Sequence, residues 1–184
     1  MRNTLHRTLL PLPDGWDSSV KSRQACGPVS IELLLCRLGR IPRIHHEPFS
    51  VSMTVFEIGA MLPYDMVKSL EDLGVTASIT HQNSSQVSYL KDRIDQGLCS
   101  IIFTRSGLGH WLVVWGYDED SFYCFDTSFF STQDEQGLTR YPYSELIHIW
   151  GKLPFIVGFL LNFLAILWPR FAVRPYTSIE YRES

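Results

Sequence analysis

The chain has 184 residues, 45% of them hydrophobic and 19% charged, which is enough to close one ordinary core and too few for two. Its net charge of -3 and pI near 6.0 supply no broad basic field, so sequence-independent nucleic-acid binding lacks electrostatic support. The four cysteines, Cys26, Cys36, Cys99 and Cys124, form none of the close pairs of a zinc site or redox dithiol, which argues against a metal centre.

The opening residues mix Arg2, Asn3, His6 and Arg7 with isolated leucines and show neither the apolar stretch nor the cleavage site of a signal peptide. A cytoplasmic chain with reduced thiols is the expectation. Gly27 to Leu38 is predicted as a helix inside the domain: Pro28 suits its first turn, Val29, Ile31, Leu34, Leu35 and Leu38 are apolar, and Gly39 can end it. Phe56 to Met61, Met66 to Leu73 and Gln86 to Gln96 are shorter predicted helices bounded by glycine or proline. From Cys99 the pattern turns strand-like, with runs at Ser100 to Thr104, His110 to Trp115 and Phe122 to Asp126. Asp118, Glu119, Asp120 and Ser121 mark a hairpin turn between the last two. A helical half followed by a sheet half predicts an α+β architecture with an antiparallel sheet, and the only sharp composition shift, near Gly151, sets a domain at residues 1–150 and a tail at 151–184.

Three residues carry candidate chemistry. Cys26 stands where the first helix begins, and free N–H groups and the macrodipole at a helix start stabilise a thiolate; the bland alternative is a buried, inert cysteine. His110 opens a strand after the flexible approach Ser106, Gly107, Leu108, Gly109, as a general base would, although a hydrogen-bonded sheet histidine fits equally well. Asp126 ends the next strand and is either the partner of that imidazole or a turn residue closing the strand locally. Register decides between these. If Tyr117 pairs with Ser121 around a three-residue loop, Asp126 lies opposite Leu112 and diagonal to His110, about 7–8 Å away between backbones. A two-residue loop would place the pair on opposite faces, so the constellation requires an odd-length turn or a bulge.

The stretches QACGPVSIELLLCRLG around Cys26 and LKDRIDQGLCSIIFTRSGLGHWLVVWGYDEDSFYCFDTS around His110 and Asp126 resemble the papain-like cysteine peptidases that remove bacteriocin leader peptides after a double glycine, and their stand-alone relatives. The resemblance implies a papain-like fold whose helical half carries nucleophile Cys26 and whose sheet carries base His110 and orienting residue Asp126. It implies a peptide or protein substrate, no nucleic acid and no cofactor. Members of this family complete an oxyanion hole with a glutamine several residues before the cysteine; here Gln24 lies two before it, and Thr127 stands where relatives usually carry proline. The same triad would also serve acyl or amide transfer, and the displaced glutamine leaves a non-catalytic peptide-binding relative as a third reading.

Leu153 to Trp168 contains no charge and is apolar on every side of a helical projection. As a helix it reaches about 24 Å, short of a roughly 30 Å hydrocarbon core, yet Trp150 and Trp168 bracket it and Lys152 and Arg170 flank it as interfacial anchors do. A membrane anchor on the cytoplasmic face, a buried core element and a hydrophobic dimer interface all stay open.

Overall fold

In chain order, the computed structural model, which describes residues 7–14, 16, 26–42, 61–83, 85–104, 109–128, 131–151 and 174–182, runs β1 (Thr8–Leu9), α1 (Cys26–Arg37), α2 (Pro63–Asp72), β2 (Thr76–His81), α3 (Gln86–Asp95), β3 (Ser100–Thr104), β4 (His110–Tyr117), β5 (Ser121–Phe125), β6 (Thr139–Pro142), α4 (Tyr143–Gly151) and β7 (Thr177–Arg182). Every strand pairing is antiparallel, and the order across the sheet is β2-β7-β3-β4-β5-β6, with β1 pairing with the far end of β4.

Alternation along β4 divides the core. Trp111, Val113 and Trp115 project to the face packed by Val29, Ile31 and Leu34 of α1 and Met66 and Leu70 of α2. Leu112 and Val114 project to the opposite face, against Leu146 and Trp150 of α4 and Leu90 of α3. Helix α1 is buried along all of Cys26 to Leu35, as expected of a helix apolar on nearly every side. At the start of α2, Pro63 occupies the first turn, where its missing N–H costs nothing, and Asp65 Oδ2 accepts from the Leu62 N–H at 3.3 Å.

Two sequence expectations are corrected. The helical and sheet halves are not cleanly segregated, because β2 lies between α2 and α3 and α4 follows β6. The tail does not stand outside the domain: β7 pairs with β2 from Thr76↔Arg182 to His81↔Thr177 and with β3 at Ile101↔Ile179 and Ile102↔Ser178, so it is an interior strand. Ile179 and Tyr181 bury their side chains in the first core, and Trp150 Nε1 donates to the Thr177 carbonyl at 2.8 Å. Leu153 to Trp168 lies outside the described residues, as do Gln24 and, apart from Met61, the expected helix at 56–61. Among the described residues no helix is long and apolar enough to cross a membrane.

Candidate active site

The β4–β5 hairpin sets the geometry. Tyr117 pairs with Phe122 and not with Ser121, and Gly116 with Tyr123; the register then shifts, so that Val114 pairs with Cys124 and Val113 with Phe125. Trp115 is the extra residue of a β-bulge. The bulge does what the three-residue loop was expected to do: one more step along the ladder brings Asp126 level with Leu112, on the face of His110. The turn is held by Asp118, whose Oδ1 accepts from the N–H groups of Asp120 at 3.0 Å and Ser121 at 2.8 Å and whose Oδ2 accepts from the Tyr123 hydroxyl at 2.7 Å. Asp118 is therefore engaged in the turn, and Asp126 faces the histidine.

His110 Nε2 lies 2.7 Å from Asp126 Oδ1, and Cys26 is the other side chain close enough to raise the ring. With Nε2 on the carboxylate, Nδ1 is the nitrogen left for the sulfur. The structure thus brings together the three residues singled out in the sequence, all buried: Cys26 is 7% exposed, His110 6% and Asp126 1%. Cys26 is the first residue of α1. A Cβ at Gly27 would sit 2.9 Å from the Met61 side chain, so glycine lets the Met61 segment close over the helix start. Met61 is held there by Trp111, whose Nε1 donates to its carbonyl at 2.7 Å. On the other side, Gly109 has φ +120°, and a Cβ there would run into the Phe103 ring; only glycine delivers the chain into β4 by this route. Thr104 Oγ1 then donates to the His110 carbonyl at 3.1 Å.

Burial disfavours the His110 imidazolium, but the hydrogen bond it donates to Asp126 and the neighbouring Cys26 outweigh it and raise the ring to about 9. Burial likewise opposes ionisation of Asp126, yet hydrogen bonds from His110, Tyr141 and the Ser128 N–H hold its carboxyl down at about 2. The carboxylate and the imidazolium coexist across neutral pH. Both local readings of Asp126 are realised, since Oδ1 also accepts from the Ser128 N–H at 2.7 Å in a strand-ending turn. Sequence reasoning missed Tyr141 on β6, whose hydroxyl donates to Asp126 Oδ2 at 2.6 Å, and read Ser128 only as part of a strand-ending turn, whereas its Oγ also donates to the same oxygen at 3.1 Å. Ser128 was signalled by the Asp-Thr-Ser order, whereas Tyr141 depends on the long-range pairing Phe122↔Tyr141. Among the described residues no group of three His, Cys, Asp or Glu side chains could hold a metal ion.

No family model matches the chain, and no curated protein matches it in sequence. Its fold, however, is similar to a double glycine motif protease from an AMS/PCAT transporter, solved in complex with the leader peptide, at 14% identity and TM-score 0.54 over 98% of this chain and 96% of that one. It is also similar to a C39-like peptidase from Bacillus anthracis, at 12% identity and TM-score 0.55 over 96% of each chain. The chain therefore has the papain-like α+β fold of these C39 peptidases, as the sequence resemblance implied.

Proposed function

We propose that the protein is a cysteine peptidase that hydrolyses a peptide bond through an acyl-enzyme, with a double-glycine leader peptide as its substrate class. The observation that carries this reading is the His110 ring bonded through Nε2 to Asp126 at 2.7 Å, with Cys26, at the first residue of a helix, as the other side chain that raises the ring. Nucleophile, base and orienting carboxylate stand in the order the chemistry needs.

Cys26 attacks the scissile carbonyl as the thiolate, its proton residing on His110. Negative charge develops on the carbonyl oxygen, and the N–H groups at the start of α1, including that of Cys26, supply donors toward it. When the tetrahedral adduct collapses, the carbon–nitrogen bond breaks, the His110 Nδ1–H protonates the leaving amine and a thioester remains on Cys26. His110, now neutral, takes a proton from water, which attacks the thioester and releases the acid. Asp126 keeps the Nε2 proton directed at itself throughout, so Nδ1 always faces the sulfur. The substrate class is supported by one structural neighbour, a double glycine motif protease solved in complex with the leader peptide.

The test is cleavage of synthetic leader peptides ending in Gly-Gly, followed by mass spectrometry. Cleavage after the second glycine, lost in Cys26→Ala with folding retained, is the expected result. A wild-type protein that leaves these peptides and alanine-substituted controls intact would overturn the reading.

A further inference from the structure

Asp126 receives more hydrogen bonds than the orientation of one imidazole requires, and they divide by oxygen. Oδ1 accepts from His110 Nε2 and the Ser128 N–H, each at 2.7 Å. Oδ2 accepts from the Tyr141 hydroxyl at 2.6 Å and from Ser128 Oγ at 3.1 Å. The carboxylate is 1% exposed, so water does not stand in for a missing donor. Tyr141 reaches it from β6, where it pairs with Phe122, and its ring packs on the second core. Burial, followed by the charge of Asp126, pushes its phenol well above the ordinary tyrosine range, so the hydroxyl keeps its proton at neutral pH.

We propose that Tyr141 is a positioning residue of the site: its hydroxyl pins Oδ2, fixes the plane of the Asp126 carboxylate and thereby aims Oδ1 at the histidine. The inference rests on the peptidase reading above. A carboxylate is broadly free about its terminal torsion, and a strong charge-assisted bond on the second oxygen removes that freedom. The same bond draws negative charge toward Oδ2, so His110 is held by a carboxylate less basic than one with an empty second oxygen. Loss of the hydroxyl should therefore slacken the aim of the ring and, at the same time, let the carboxylate grip the imidazolium more tightly.

Tyr141→Phe, which keeps the buried ring, is the test, in the wild-type background and combined with Asp126→Ala. Turnover number should fall about 10–100-fold with KM unchanged, and the NMR titration of the His110 ring should move to higher pH. In the Asp126→Ala background the same change should add almost nothing, because the group Tyr141 acts through is already gone. Equal losses in both backgrounds, or a His110 titration that does not move, would overturn the proposal and leave Tyr141 a packing residue. If the wild type cleaves no peptide, the peptidase reading fails while the His110 titration still decides the role of Tyr141. Should Tyr141→Phe not fold, Ser128→Ala removes the weaker donor from the same oxygen; a smaller upward move is expected, and no move overturns the proposal.

Discussion

Asp126→Asn separates the charge of the third residue from its geometry. The Ser128 N–H that donates to Oδ1 at 2.7 Å can meet only an acceptor, so the asparagine must place its carbonyl oxygen there and its NH2 toward Tyr141, whose hydroxyl can turn to accept. The bond from His110 Nε2–H is then kept, along with the tautomer, and only the negative charge is lost. Burial, the largest influence on His110 and one that lowers it, is left opposed chiefly by Cys26. The ring should fall from about 9 to the ordinary histidine value near 6.5 or below, a weakening of the imidazolium by about 3 kcal/mol. Turnover at neutral pH should drop about 10²-fold, less than the roughly 10⁴-fold loss in a serine-protease triad where the same change also inverts the tautomer. Stability shifts with a defined sign: in the wild type the raised His110 contributes fully below 6.5 and loses its contribution as pH rises through about 9, while the lowered Asp126 contributes above 3.8 and loses it as pH falls through about 2. The variant should lose its stabilisation throughout the window between. The assay is kcat/KM against pH beside the NMR titration of His110 and urea melts across the same range. A His110 titration still near 9 in the variant would refute the electrostatic argument.

Truncation after Gly151 should abolish folding, because it removes β7 from between β2 and β3 and with it the buried Ile179 and Tyr181, each worth about 1.5–3 kcal/mol of burial; circular dichroism would show it, and a native melting curve would contradict the tail's place in the sheet. Gly109→Ala should lower stability by about 1–3 kcal/mol and activity with it, since φ +120° and the Phe103 ring both oppose a side chain there; unchanged melting temperature and kcat would show that this approach to His110 is not needed. Iodoacetamide at neutral pH should label Cys26 before Cys36, although Cys36 is the more exposed of the two. Cys99, pushed up to about 11 by burial, and Cys124, also raised well above its ordinary value by burial, should stay unlabelled in the native state; labelling in order of exposure would remove the case for an activated Cys26.

The elements that place the three candidate residues were legible because each announces itself locally. Ser100 to Thr104 is a β-branched and aromatic run, and α1 carries proline in its first turn and arginine in its last. What was missed depends on partners far along the chain. Thr76–His81 and Thr177–Arg182 are half polar, with apolar side chains for the first core only at Ala77, Ile79, Ile179 and Tyr181, and each reads as a strand only beside the other. The hairpin illustrates the same limit: alternation required His110 and Asp126 to share a face, but whether a loop of odd length or a bulge achieves it is decided by packing. Trp115 settles it, buried on the first core with its Nε1 on the Leu10 carbonyl at 3.1 Å. Tyr141 was beyond reach for the same reason, since nothing in Thr139–Pro142 signals a carboxylate 15 residues earlier.

The central claim is that Cys26 carries the acyl group. Intact-protein mass spectrometry on samples quenched in acid during turnover of a Gly-Gly peptide ester should show an adduct of the acyl mass, mapping to the peptide that contains Cys26 and absent from Cys26→Ala. Turnover that continues in Cys26→Ala, or an adduct that maps to Cys36, would contradict the account.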